Sequence, residues 1–171
     1  VSSLGQARRD YDMLIQAVNG LPMQLHIQAS SQWYIRYKTQ VGDLPYNVSF
    51  GSYLPFTRLR DLYARANFVV VALTPGAHHS AGSVTIKEAM AMGKAVIVAS
   101  PGGAEDYIDH GETGIILPAG NGLALRDAIR DLLADPAATR RMGERARQVV
   151  ETKLSYDRKI RRMAAEADDA C

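Results

Sequence analysis

Glu88 stands in a run, Val84 to Met92, that is otherwise almost free of charge: Val84, Thr85, Ile86, Ala89, Met90, Ala91 and Met92 surround it, and Lys87 is the only other ion. The spacing predicts a helix that is apolar nearly all round, the kind normally buried inside an α/β domain. An unpaired buried carboxylate is very costly, so Glu88 needs a protein partner or a cleft that takes a ligand. A carboxylate only accepts hydrogen bonds, and one turn inside a helix it can accept both hydroxyls of a ribose. A salt bridge to a neighbouring helix satisfies it equally well. Just ahead of the helix, Gly82 and Ser83 admit two readings. The free amides of Ser83, Val84 and Thr85 can meet a phosphate, or Ser83 is an ordinary N-cap.

Other residues carry weaker signals. Arg8 and Arg9 follow the first candidate strand, where a guanidinium can grip a diphosphate with two parallel bonds; on their own, loop arginines are more often simply solvated. His78 and His79 lie in a Pro-Gly loop without a supporting cluster at ligand spacing, which argues against a metal and leaves a substrate-facing role for either. Gly93-Lys94 resembles the end of a P-loop, but the earlier glycine is missing and Ala95 stands where a magnesium-binding hydroxyl belongs. Gly102-Gly103 predicts a tight turn that also admits a ligand.

These groups need a scaffold, and the chain supplies one. Strands are expected at Val1–Leu4, Leu25–Ala29, Asn47–Phe50, Phe68–Leu73 (FVVVAL), Ala95–Ala99 (AVIVA) and Gly114–Leu117. Helices are expected at Tyr11–Val18, stopping at Asn19-Gly20, and from Pro55 to about Arg65, with Phe56, Leu59, Leu62 and Tyr63 facing inward. Further helices are expected at Leu123–Ala134, Pro136–Thr152 and Tyr156–Ala167, while Ser30–Pro45 receives no assignment. Near-continuous apolar strands alternating with helices indicate a parallel sheet covered on both faces. The fold class is therefore α/β, one Rossmann-like doubly wound sheet over residues 1–171. Ligands of such domains bind at the carboxyl ends of the strands, where the loops Gly5–Arg9, Thr74–Ser83 and Ser100–Ala104 open together.

Bulk properties narrow the class. The 171 residues are 47% hydrophobic and 22% charged, with a net charge of +2 from 20 basic and 18 acidic side chains, which gives no reason to expect nucleic acid or an anionic membrane as partner. The arginine clusters at 140–147 and 158–162 alternate with acids at helical spacing and read as solvated helix faces. The single cysteine, Cys171, excludes an intrachain disulfide and fits a reducing cytoplasm. No apolar run approaches the ~20 residues of a membrane span, and no signal peptide is visible. The start at Val1 rather than Met suggests an excised piece of something longer.

At these residues the sequence resembles a known family, the family-4 retaining glycosyltransferases of GT-B fold (glycosyl transferases group 1), and more narrowly their C-terminal, nucleotide-sugar-binding domain. The resemblance rests on RDYDMLIQAV (residues 9–18), FGSYLPFTRLRDLYARANFVVVAL (50–73), AGSVTIKEAMAMGKAVIVAS (81–100), GGAEDYIDHGETGIILPAGN (102–121), then LLADP and RRMGERAR. It covers nearly the whole chain, least well over residues 28–45.

The resemblance implies that Glu88 is the second glutamate of the family's donor-site pair and binds the nucleotide ribose. Ser80 stands at the position of the first, which usually touches the donor sugar; a hydroxyl supplies a hydrogen bond but no charge. Arg9 fits the second basic position for the diphosphate, while Gln6 stands where an arginine is common. The amides of Ser83, Val84 and Thr85, beside Gly82, would hold the distal phosphate. His79 would contact the donor sugar, and Val48 and Phe50 the base. A nucleoside-diphosphate sugar is then the substrate, without metal or other cofactor. The implied partners are an N-terminal GT-B domain and an acceptor, with membrane association only through the full-length enzyme and a cytoplasmic location. A stand-alone binding module that lost catalysis is the alternative, to which Ser80 and Gln6 lend some weight. A sugar-nucleotide epimerase fits less well, because the GETG and RMG segments are transferase-like.

Overall fold

The computed structural model describes residues 1–5, 8–29, 44–51 and 54–154, with Phe56 described in its backbone alone. The expectations for Gln6, for most of Ser30–Pro45 and for a helix at Tyr156–Ala167 lie outside these residues. Among those described, six strands form one sheet: β1 (Ser2–Leu4), β2 (Leu25–Gln28), β3 (Val48–Phe50), β4 (Phe68–Ala72), β5 (Ala95–Ser100) and β6 (Gly114–Pro118). Their order is β3-β2-β1-β4-β5-β6, and every pairing is parallel. The five α-helices are α1 (Tyr11–Val18), α2 (Phe56–Arg65), α3 (Ser83–Ala91), α4 (Gly122–Ala134) and α5 (Pro136–Val149), the last continuing into a π turn at Val150–Leu154. The expected fold class is the observed one.

Strand alternation builds the two layers. Phe68, Val70 and Ala72 of β4 join Ala95, Ile97 and Ala99 of β5 under α1 and α4, in a core that includes Leu14, Val18, Leu125 and Ile129. Val69 and Val71, with Val96 and Val98, point the other way against Tyr63 of α2, Ile86 and Met90 of α3 and Ala146 of α5. Because every β4 residue is buried, its apolar run carries no polar face. A central parallel strand has this composition because helices cover both its sides.

Helix starts divide into two kinds. Asp10, Asn121 and Asp135 cap α1, α4 and α5, accepting hydrogen bonds from the amides of Met13, Ala124 and Ala138. Each side chain satisfies one of the donors that a helix start leaves open. The start of α3 has no such side chain, since its N-cap is Gly82 in the left-handed region, φ 81°.

The glycines of the two late motifs are packing devices. A Cβ on Gly143 would overlap the backbone carbonyl of Gly93, and one on Gly114 would crowd the Val96 carbonyl. Gly143 thus lets α5 lie directly on the turn that feeds β5.

One expectation about packing needs correction. Helix α3 is not buried all round: Thr85, Ile86, Ala89 and Met90 are buried, whereas Val84 is 63% exposed and Ala91 is exposed too. The sheet covers one side of α3, and no described element covers the side that Val84 and Ala91 share.

Candidate functional site

The strand order reverses direction between β1 and β4, and that reversal makes a crevice at their carboxyl ends. Arg9 sits in it. The backbone of the β1–α1 loop is tied to the end of β4 by the Asp10 amide donating to the Ala72 carbonyl and the Thr74 amide donating to the Arg8 carbonyl, both at 2.9 Å. Arg8 adopts the left-handed conformation, φ 58°, which costs an L-residue roughly 1–2 kcal/mol. The turn it makes sends the Arg9 side chain back under the loop. Gly5, φ 108°, completes the space, because a Cβ there would collide with the guanidinium.

The Arg9 side chain is 8% exposed. Nε donates to the Leu4 carbonyl at 3.1 Å and Nη2 to the Thr85 hydroxyl at 3.1 Å. A Cβ on Gly82 would stand 3.7 Å from Nη1, so the cation lies against the start of α3. Burial pulls its pKa below the ordinary arginine range, with Tyr11 and Tyr63 opposing. A guanidinium nevertheless keeps its proton in proteins.

At the same helix start the Ser83 amide is already used by the Ser80 carbonyl, at 3.2 Å, and the first intrahelical bond to a cap runs from the Ile86 amide to the Gly82 carbonyl. The amides of Val84 and Thr85 have no acceptor among the described residues. Two unsatisfied N–H groups, the positive end of the helix dipole and a buried guanidinium therefore converge on one point. An open helix start and a guanidinium, both positive, make the crevice receptive to an anion. Ser83 is the first helical residue and caps nothing, so the N-cap reading of it is overturned. Of the three amides expected to be open, the structure leaves two.

Glu88 lies one turn further along α3. It is half-buried, and its Oε2 accepts the Tyr63 hydroxyl at 2.7 Å. The partner required of Glu88 is thus a phenol on α2 rather than a cation, and it engages one carboxylate oxygen. Burial, then the hydrogen bond to Glu88 and its charge, push the Tyr63 phenol well above its ordinary range, against a smaller pull from Arg9. Tyr63 is thus the donor and Glu88 the acceptor of this bond. Sequence reasoning placed it in an apolar stripe and missed this contact, for which a 25-residue separation leaves no local signal.

The remaining candidates fall around this centre. Ser80 and His79 are exposed in the β4–α3 loop, and His79 Nε2 lies 3.2 Å from Asp106 Oδ2. Gly103, φ 84°, lets that loop rest on the glycine turn, since a Cβ there would overlap the His79 carbonyl. Phe50 ends β3 on the same edge, its ring edge-on to Tyr11 at 6.3 Å between centroids. Val48 does not join them. It begins β3, pairs with Leu25, and is buried in the core. Among the described residues, no group of three or more His, Cys, Asp or Glu side chains could hold a metal, and no helix is long and apolar enough to cross a membrane.

A cleft of about 290 Å³ opens at the opposite, amino edge of the sheet, between Arg65, Lys94, Leu133 and Arg140. Two of its cations serve a helix end, and the third, Arg140, pairs with Glu144 along α5. Lys94 Nζ donates to the Ala64 carbonyl at 2.9 Å, and Arg65 lies in the last turn of α2, where positive charge offsets the negative end of the dipole.

The fold and this crevice define a doubly wound α/β domain with an anion-receptive switch point. Residues 3–149 match the family model for "Glycosyl transferases group 1", and the chain belongs to that family. Over 67 residues, 39% of this chain and 18% of the relative, it is 39% identical to the N-acetyl-alpha-D-glucosaminyl L-malate synthase of Bacillus anthracis. Sucrose-phosphate synthase from Thermosynechococcus elongatus superimposes with a TM-score of 0.77 at 26% identity, over 99% of this chain and 46% of that one. Anabaena HepE, solved with UDP and glucose, gives a TM-score of 0.79 at 22% identity, over 99% of this chain and 48% of that one. The chain spans about half the length of these solved structures.

Proposed function

We propose that this chain is the C-terminal, donor-binding half of a retaining, family-4 glycosyltransferase of GT-B fold, and that its ligand is a nucleoside-diphosphate sugar. One observation carries the reading: the open amides of Val84 and Thr85 face the same crevice as the buried Arg9 guanidinium. In this arrangement the diphosphate bridges Arg9 and the α3 start, and the second oxygen of Glu88 takes the ribose. The UDP present in the HepE structure supports a nucleoside diphosphate as the ligand class. Arginine and helix amides supply the positive charge that a metal supplies elsewhere, so donor binding is metal-independent.

Transfer itself needs a second half. The donor crevice lies open on the carboxyl edge of the sheet. A facing domain would exclude water and bring the acceptor into line, and these contribute much of the rate in such chemistry. A second reading, a binding module without catalysis, is favoured by Ser80, whose neutral hydroxyl occupies an exposed loop position where the family resemblance implies an acid. Calorimetric titration of the chain with UDP- and GDP-linked sugars tests the assignment. Binding at millimolar concentration or tighter, abolished in Glu88→Ala, supports it; no binding of either sugar nucleotide or of the free diphosphates refutes it.

A further inference from the structure

We propose that Tyr63 is a positioning residue that locks the Glu88 carboxylate toward a cis-diol, giving the crevice its preference for ribose-bearing diphosphates over diphosphate alone. This rests on the donor-binding reading above. Tyr63 and Glu88 come from different helices and meet at 2.7 Å through the phenol and Oε2. The Tyr63 side chain is only 3% exposed, so packing fixes its ring and hence the direction of its O–H. Glu88 has no other hydrogen-bond partner among the described residues. Its Oε1 is therefore held at a fixed orientation with its lone pairs open.

Thr85 and Glu88 are three residues apart and share a side of α3. Because Thr85 is the residue that touches Arg9, the fixed carboxylate lies one helical turn from the cation. A glutamate without the phenol would have to surrender its rotamer freedom on binding; the phenol removes that cost in advance. Selectivity for a hydroxylated ligand follows, because only a diol uses the oriented oxygen.

Tyr63→Phe removes one hydroxyl and keeps the ring. The full chain and this variant would be titrated calorimetrically with UDP, GDP, their 2′,3′-dideoxy analogues and inorganic pyrophosphate. The loss of one oriented hydrogen bond is expected to weaken UDP or GDP about three- to tenfold, leaving pyrophosphate and the dideoxy analogues unchanged. An equal loss for all four ligand types would show a merely structural role and overturn the proposal. So would unchanged UDP and GDP affinity. Binding of pyrophosphate by the parent chain, with UDP indifferent to Glu88→Gln, would sink the diol pair and leave the anion site standing. No binding of any probe would remove the donor-binding reading and this proposal together.

Discussion

The bond between Arg9 and Thr85 is the joint on which the crevice turns, and a double-mutant cycle measures it. Thr85→Val replaces a hydroxyl by a methyl in a buried helical position, 7% exposed, so both shape and β-branching are kept. What is lost is the acceptor for Arg9 Nη2 at 3.1 Å. A hydrogen bond to a charged group contributes about 1.5–3 kcal/mol, and a domain of this size loses about 2–4 °C of melting temperature per kcal/mol. Thr85→Val should therefore melt about 3–12 °C lower in the presence of Arg9. In an Arg9→Met background the hydroxyl has no guanidinium to serve, and the same substitution should cost almost nothing. Urea and thermal unfolding of the four proteins should give a coupling of about 1.5–3 kcal/mol, well beyond the ~0.5 kcal/mol scatter of independent sites. Thr85→Val keeps its backbone amide and should still bind a diphosphate, whereas Arg9→Met should not. Additive stabilities would show that the two side chains do not meet, and the crevice as described would be wrong.

Further outcomes follow from other parts of the structure. Gly143→Ala places a Cβ against the Gly93 carbonyl, and overpacking against backbone should destabilise by about 1–3 kcal/mol while leaving pyrophosphate affinity unchanged in the folded protein; a neutral melting temperature would contradict this packing. The raised pKa of Tyr63 means that the folded state keeps a phenol proton which the unfolded chain gives up near pH 10. Its contribution to stability is thus full below pH 10 and falls as the pH rises further. In the folded protein the tyrosinate absorbance gained around pH 10 should be the same in Tyr63→Phe as in the parent, and a drop of one tyrosine's amplitude would refute it. Burial lowers the Lys94 pKa from 10.5, so stability should rise with pH as the ammonium is lost below that value. Lys94→Met should lack this rise; an identical alkaline slope would exclude Lys94 as its source. Donor binding in excess EDTA should match binding in magnesium, and a strict magnesium requirement would contradict neutralisation by Arg9 and the helix amides.

Much of the fold was legible because its signals are local. The continuous apolar runs of β4 and β5 match their complete burial, and Asn19-Gly20 ends α1 with Gly20 at φ 74°. Helix α3 was legible in position but not in packing. Its composition suggested burial on every side, yet Val84 lies exposed, because whether a neighbour covers that side is a tertiary fact.

The site divides in the same way. Gly82, Glu88 and Arg9 stood out by residue type, whereas Thr85 was read only for its backbone amide, and its hydroxyl meets Arg9 across 76 residues. That Gly82 rather than Ser83 is the cap depends on a backbone angle that residue type alone does not set. Tyr63 was readable only as an inward-facing aromatic, since its hydroxyl meets Glu88 through the packing of α2 on α3. Val48 shows the converse error. It belongs to a strand whose far end reaches the carboxyl edge of the sheet, but Val48 itself opens that strand and stays in the core.

The reading depends above all on the two open amides at the start of α3, and nuclear magnetic resonance observes them individually. A ¹⁵N-labelled chain titrated with UDP, GDP or pyrophosphate should show its largest downfield amide-proton shifts at Val84 and Thr85, saturating together, with Arg9→Met abolishing both. Shifts confined to other residues, such as Gly93 and Lys94 at the amino edge, or no shift at saturating ligand, would contradict the assignment of this crevice as the diphosphate site.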